Sequence, residues 1–189
     1  MAQMLTSLYD TYEEAKQTVS DLAAAGIPHS DISIIGGNAQ GLHTSGAATG
    51  AEVGAIAGGG AGLLAGLGIM AIPGLGPVIA AGWLAATLVG AVAGAAGGGL
   101  IGALVSAGVN EKDAHVYAEG IRRGGVLVTL RVDDSQAKTA SMILQHHRSV
   151  DVVGRRKLYE EEGWRQFDPE RIPYTPQQVA GQTDKVPRT

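Results

Sequence analysis

The stretch Gly46-Ala-Ala-Thr-Gly50-Ala-Glu-Val-Gly54-Ala-Ile-Ala-Gly58-Gly-Gly-Ala-Gly62-Leu-Leu-Ala-Gly66 carries glycine at every fourth residue. Beyond the corner Pro73-Gly74-Leu75-Gly76-Pro77 the spacing resumes at Gly82, Gly90, Gly94, Gly98 and Gly102, with Ala86 and Ser106 in the same register. On an α-helix these residues share one ridge, and small side chains there leave a groove that a second helix backbone can enter. Eleven such glycines would cost roughly 10 kcal/mol relative to alanine, against a domain's net stability of about 5–15 kcal/mol. An offsetting gain is required, either close backbone approach or a lipid setting in which helix is nearly obligatory. These glycines are the expected helix-packing residues, and Pro73, Gly74, Gly76 and Pro77 the expected corner of a helical hairpin. Leu63, Leu64, Leu67, Ile69, Leu84, Leu88, Leu100 and Leu104 make the stretch too apolar for a solvated linker.

Charge divides the rest of the chain. No Asp, Glu, Lys, Arg or His occurs between Glu52 and Glu111, whereas the flanks are polar and of mixed sign. The net charge of −4 over 189 residues, with no basic stripe, argues against a nucleic-acid partner. Disulfide chemistry is excluded by the absence of cysteine. The opening Met1-Ala-Gln-Met-Leu-Thr-Ser-Leu-Tyr-Asp10 has no basic segment followed by an apolar one, so no secretory signal is expected.

The flanks read as two βαβ halves. In the first, a strand at Met4–Tyr9 leads to a helix over 11–25 that opens on the capping box Thr11/Glu14 and stops at Gly26, with a strand following at Ile32–Gly36. In the second, Asn110 caps a helix with the apolar stripe Ala114, Tyr117, Ala118 and Ile121, which Gly124-Gly125 ends. A β run at Val126–Val132, a helix from Asp133 to about His147 and a short strand at Val150–Gly154 complete it. The expected fold is an α+β, ferredoxin-like sandwich with the glycine-zipper hairpin inserted between its halves. Its boundaries are 1–40 for the first half, 41–109 for the hairpin, 110–157 for the second half and 158–189 for an extended tail. Trp164 and Phe167 either anchor that tail to the domain or meet a partner.

On these residues the chain resembles a family of bacterial general stress proteins of the heat-induced and low-temperature-induced type. The resemblance rests on Ile32-Ser-Ile-Ile-Gly36, on Ala71-Ile-Pro-Gly-Leu-Gly-Pro77 and on Gly124-Gly-Val-Leu-Val-Thr-Leu130, and covers about Met4 to Val153. It implies a stress association and a hydrophobic hairpin, and supplies no catalytic residue.

Three settings suit the apolar stretch. As helices, its arms would be about 40 and 48 Å long at about 1.5 Å per residue, enough for a bilayer core of about 30 Å. The leading expectation is thus a membrane-tethered, non-enzymatic stress protein with a cytoplasmic head at the inner membrane, the lipid bilayer and further copies of the chain being its partners. A second setting is a cytoplasmic homo-oligomer in which hairpins pack between chains, and a small ligand-sensing module is a further alternative. Least favoured is a hairpin folded back over its own sheet, because the uncharged stretch exceeds what a small sheet covers.

Catalytic, cofactor and metal sites are not expected, nor is a small-molecule substrate identified. Gly36-Gly37-Asn38-Ala39-Gln40-Gly41 lacks the Lys-Ser/Thr ending of a phosphate loop. Glu111, His115 and Glu119 share a helical face at metal-ligand spacing but read as ordinary helix chemistry, since no fourth ligand accompanies them. His146-His147 ends a helix, where imidazole suits the dipole.

Overall fold

The computed structural model describes residues 2–36, 68–72, 75–92, 99–172, 174–175 and 177–179. Five strands form one antiparallel sheet in the order β1-β5-β2-β4-β3. They are β1 (Ala2–Tyr9), β2 (Ile32–Gly36), β3 (Gly68–Ile72), β4 (Gly76–Gly82) and β5 (Val126–Asp133). The helices are α1 (Tyr12–Ala24), α2 (Trp83–Val92), α3 (Gly99–Ser106), α4 (Glu111–Arg122), α5 (Asp134–His146) and α6 (Val152–Glu161).

Local chemistry explains the polar flanks. The Glu14 amide donates to Thr11 Oγ1 at 3.3 Å while that hydroxyl donates to Glu14 Oε2 at 2.8 Å, closing the capping box at the start of α1. The Lys112 amide donates to Asn110 Oδ1 at 2.9 Å at the start of α4. β5 is apolar because it is central: it pairs with β1 on one side and β2 on the other, and Val126–Leu130 are all buried. β5 also separates β1 from β2, giving a split βαβ arrangement.

Two cores result. Beneath α1 and α5 lie Tyr9, Val19, Leu22, Ile32, Ile34, Val128, Leu130 and Leu144. The opposite core joins Leu8, Ile35, Leu127, Val78 and Ala80 of the sheet to Leu84 and Leu88 of α2, Leu104 of α3, and Tyr117 and Ile121 of α4. The sheet is therefore covered on both faces, and part of its cover comes from the glycine- and alanine-rich stretch.

This corrects the expected helical hairpin. The corner exists, with the Leu75 amide donating to the Ile72 carbonyl at 3.0 Å, but it joins two antiparallel strands. Among its described residues the return arm holds a strand and two helices. At about 1.5 Å per residue, α2 and α3 extend only about 15 and 12 Å, and among the described residues no helix is long and apolar enough to cross a membrane. The least favoured setting, folding back over the sheet, is the one these residues adopt. It becomes possible because β3 and β4 widen the sheet that has to be covered.

A second correction concerns Val150–Gly154. This segment is not a strand: α6 begins at Val152, and only the Val150 amide bonds the β1 edge, at Leu8 O and 2.8 Å. Asp151 explains the start of a helix there, since its carboxylate accepts from the amides of Val153 and Gly154 at 3.0 and 3.1 Å. The described chain is a mixed α+β structure in which a helix takes the place of the expected fourth strand.

Gly82 is where the return arm turns back. Its φ is +88°, and a Cβ there would overlap the Ile32 carbonyl oxygen and lie 2.7 Å from Ser33 Cα. Gly102 of α3, by contrast, has nothing within 4 Å of the position its Cβ would take. Urea unfolding should therefore find Gly82→Ala destabilised by about 2 kcal/mol or more, and Gly102→Ala stabilised by about 0.5–1 kcal/mol. Equal losses at both positions would restore the packing-ridge reading.

Candidate interaction site at the carboxyl end of α4

The spacing of Glu119, Arg122 and Arg123 puts one carboxylate and two guanidiniums on neighbouring turns of α4 and its cap. All three are buried, Glu119 to 1 % exposure. Arg122 Nε donates to Glu119 Oε2 at 2.8 Å and Arg122 Nη2 to Glu119 Oε1, which also accepts from Arg123 Nε at 2.7 Å. Arg123 Nη1 reaches Glu162 Oε2 at 2.5 Å, beyond the end of α6. Burial alone would lower the guanidinium pKa values, but carboxylate hydrogen bonding and charge, from Glu119 for Arg122 and from Glu162 and Glu119 for Arg123, turn the net shift upward. Both arginines stay charged in the folded protein.

The carboxyl-terminal segment is laid over this cluster. Arg122 Nη1 donates to the Ile172 carbonyl at 3.2 Å, and the Tyr174 amide donates to the Arg122 carbonyl at 3.3 Å. The Arg122 guanidinium stands 4.6 Å from the Tyr174 ring centroid, and that of Arg123 stands 4.0 Å from the Tyr159 centroid. Val179 packs on Gly124, where a Cβ would come within 2.8 Å of Val179 Cγ2. Trp164 meets Tyr159 edge-on at 5.6 Å, and the Phe167 amide donates to His115 Nδ1 at 3.3 Å. Trp164 and Phe167 are both buried, so of their two expected uses they serve as anchors.

The candidate ligand set Glu111, His115 and Glu119 is thereby dispersed: Glu119 is taken by the arginines and His115 by Phe167. Among the described residues no group of three or more acidic or imidazole side chains is arranged to hold a metal. His147 Nε2 lies 2.7 Å from Asp21 Oδ2, joining α5 to α1. Of the glycine register, Gly82 sits at the β4–α2 junction, Gly90 within α2 and Gly102 within α3. Gly76 and Pro77 begin β4. Gly46, Gly50, Gly54, Gly58, Gly62, Gly66, Gly94 and Gly98, the corner residues Pro73 and Gly74, and the loop Gly37–Gly41 lie outside the described residues. Close approach of helix to sheet instead occurs at Gly120 of α4, where a Cβ would lie 3.1 Å from Leu8 Cδ1.

Residues 5–72 match the family model described as the heat induced stress protein YflT domain. The match supports the bacterial general stress protein family. It spans β1, α1, β2 and β3 and ends before the α4 cluster, so that cluster is a feature of this chain outside the matched stress-protein domain. No curated protein and no solved structure matches the chain.

Removing one partner of a buried ion cluster strands the charges left behind. Glu119→Gln should lower stability by about 3–5 kcal/mol in urea. Glu162→Gln, at a half-exposed carboxylate, should lower it by only about 0–1 kcal/mol. Tyr174→Ala should speed proteolytic cleavage after Glu162 while leaving the head intact. Comparable losses at Glu119 and Glu162 would contradict this arrangement.

Tyr117, on the sheet-facing side of α4, offers a check by pH. Burial, with a smaller contribution from the Asp113 charge, raises its phenol from 10.0 to about 12. The folded state holds this proton more tightly than the unfolded state. The contribution is therefore complete below pH 10 and is lost as pH rises towards about 12. Over that window Tyr117→Phe should show a shallower fall in unfolding free energy than the parent chain.

Proposed function

We propose that this chain is a non-enzymatic general stress-response protein of the cytoplasm, acting through the surfaces of a ferredoxin-like head whose fourth strand is replaced by α6. The observation that carries the reading is the stress-protein domain matched at residues 5–72. The geometry of the head supports a binding rather than a turnover role. Among the described residues two ion clusters are committed to internal partners: buried Glu119 to Arg122 and Arg123, and half-buried Arg155 to Asp10 through paired 2.8 Å bonds. A catalytic acid or base needs a group free to exchange its proton with substrate, and carboxylates fixed by two guanidiniums are poor candidates.

In this reading the apolar stretch serves the fold, completing the sheet through β3 and β4 and covering it through α2 and α3. Cells lacking the chain should survive a heat challenge less well, and expression of the full chain should restore survival. Alkaline carbonate should release the protein from washed membranes without detergent. Unaltered heat survival would remove the stress assignment, whereas retention until detergent is added would remove the cytoplasmic one.

A further inference from the structure

We infer that α2 and α3 form a heat-released cover: hinged at Gly82 and Gly108, they lift from the sheet below the temperature of global unfolding and expose the apolar face beneath. The behaviour belongs to the fold and stands whether or not the stress assignment holds.

The cover is held almost wholly by apolar contact. Leu84 and Leu88 of α2 and Leu100 and Leu104 of α3 are buried in one core with Ile35, Val78 and Leu127 of the sheet. Neither helix can contribute an ion pair, since no charged residue lies between Glu52 and Glu111. Among the described residues neither has a side chain hydrogen-bonded to the sheet: the Thr87 hydroxyl donates within α2, to Trp83 O at 2.9 Å, and Trp83 Nε1 has no partner. What ties them is the guanidinium of exposed Arg131, 3.9 Å from the Trp83 ring centroid.

The sheet beneath is polar where the cover begins. Thr6 is the register partner of Thr129, Thr129 of Ser33, and Ser33 of Gly82. Opposed residues share a face, and alternation along each strand sets these three hydroxyls beside Leu8, Leu127 and Ile35, on the covered side. Ser33 Oγ is satisfied by Ala81 O at 2.7 Å, and the Tyr117 hydroxyl reaches the Thr6 carbonyl at 3.5 Å, not its hydroxyl. Thr6 Oγ1, Thr129 Oγ1 and Trp83 Nε1 are sealed from solvent without a hydrogen-bond partner. Arg131 stands two residues beyond Thr129 on the same face, so stacking on it brings Trp83 alongside Thr129. A sealed polar group without a partner destabilises the closed state and recovers its hydrogen bonds in water. Lifting α2 returns water to Thr129 Oγ1 and Trp83 Nε1, so opening restores hydrogen bonds that closure forfeits.

Hinges stand at both ends. Gly82 precedes α2 at φ 88° and Gly108 follows α3 at φ 98°, and element-terminal residues of this kind absorb the large backbone changes of a hinge. A Cβ at Gly108 would meet nothing within 4 Å, which leaves that turn room to swing. Warming favours release because the freed helices regain chain entropy. The lifted state presents Leu84, Leu88, Leu100 and Leu104 on one side and Ile35 and Leu127 on the other, while α1 and α5 stay packed on the opposite core.

The test uses the full chain. Hydrogen exchange read by mass spectrometry should find the amides of residues 83–88 and 100–106 about a hundredfold less protected than those of β2 and β5. Anilinonaphthalene sulfonate fluorescence should rise on warming before the far-ultraviolet circular dichroism is lost. Thr129→Val, which replaces the orphaned hydroxyl with a methyl group of the same shape, should slow exchange in both helices about tenfold and delay the dye. Arg131→Ala should speed that exchange about threefold. Fraying of the helix ends alone would leave the dye unbound and neither substitution with an effect, and would overturn the inference. So would exchange in α2 and α3 as slow as in β5, or helix exchange unmoved in whichever of these variants folds. Survival of heat-challenged cells tests the stress assignment separately.

Discussion

The fold turns on the close passage of Gly82 over Ile32 and Ser33. At that point β4 has completed its pairing with β2, and the chain must leave the sheet plane without separating from it. A left-handed backbone at Gly82 achieves this, and the next residue, Trp83, begins α2. Its indole receives the Arg131 guanidinium of β5 at 3.9 Å from the ring centroid. Ser33 Oγ completes the junction by donating to Ala81 O at 2.7 Å. Everything beyond follows from this turn: Leu84 and Leu88 point into the second core, α3 comes to lie beside α4, and the apolar stretch becomes a lid on the sheet.

α4 then connects the lid to the remainder of the chain. Gly120 lets it settle on Leu8 of β1, Ile121 and Tyr117 face the second core, and its carboxyl end gathers the ion cluster on which the last described segment is laid. Val116 and Tyr159 join α4 to α6 in a small third core closed by Trp164. The same helix thus has an apolar side against the sheet and a charged end beneath the tail. Loss of Glu119 would be felt in both, since the arginines it neutralises are held within packed structure.

The sequence made the flanks legible for reasons that are local. Thr11 with Glu14, Asn110, and Gly26 and Gly124 with left-handed φ are short-range devices, and each bounds the helix its pattern implied. β2 could be read to the residue because Ile32-Ser-Ile-Ile-Gly36 has little helical character. The middle of the chain misled because four-residue spacing keeps residues on one face of a strand as well as along one ridge of a helix. The register therefore cannot separate the two conformations, and Gly82 ends a strand. Glycine also takes left-handed backbone freely, so the residues read as helix-packing positions include one at which the chain turns. The short strand expected at Val150–Gly154 was lost to the Asp151 cap. The α4 cluster was not read from the sequence: Glu119 was grouped with Glu111 and His115, and nothing local showed that Arg122 and Arg123 would bury against it or that Tyr174 and Ile172 would return to cover it.

A stress-protein domain whose apolar segment is consumed by its own fold differs physically from one anchored in lipid. In the first, the methyl groups of α2 and α3 are core; in the second, they face acyl chains. The most direct test is methyl nuclear Overhauser spectroscopy on the full chain in detergent-free buffer, observing Leu84, Leu88 and Leu104 against Ile35 and Leu127. The folded-back arrangement predicts a connected network of contacts among these methyls. Its absence, with the same methyls contacting added lipid or detergent instead, would contradict the account.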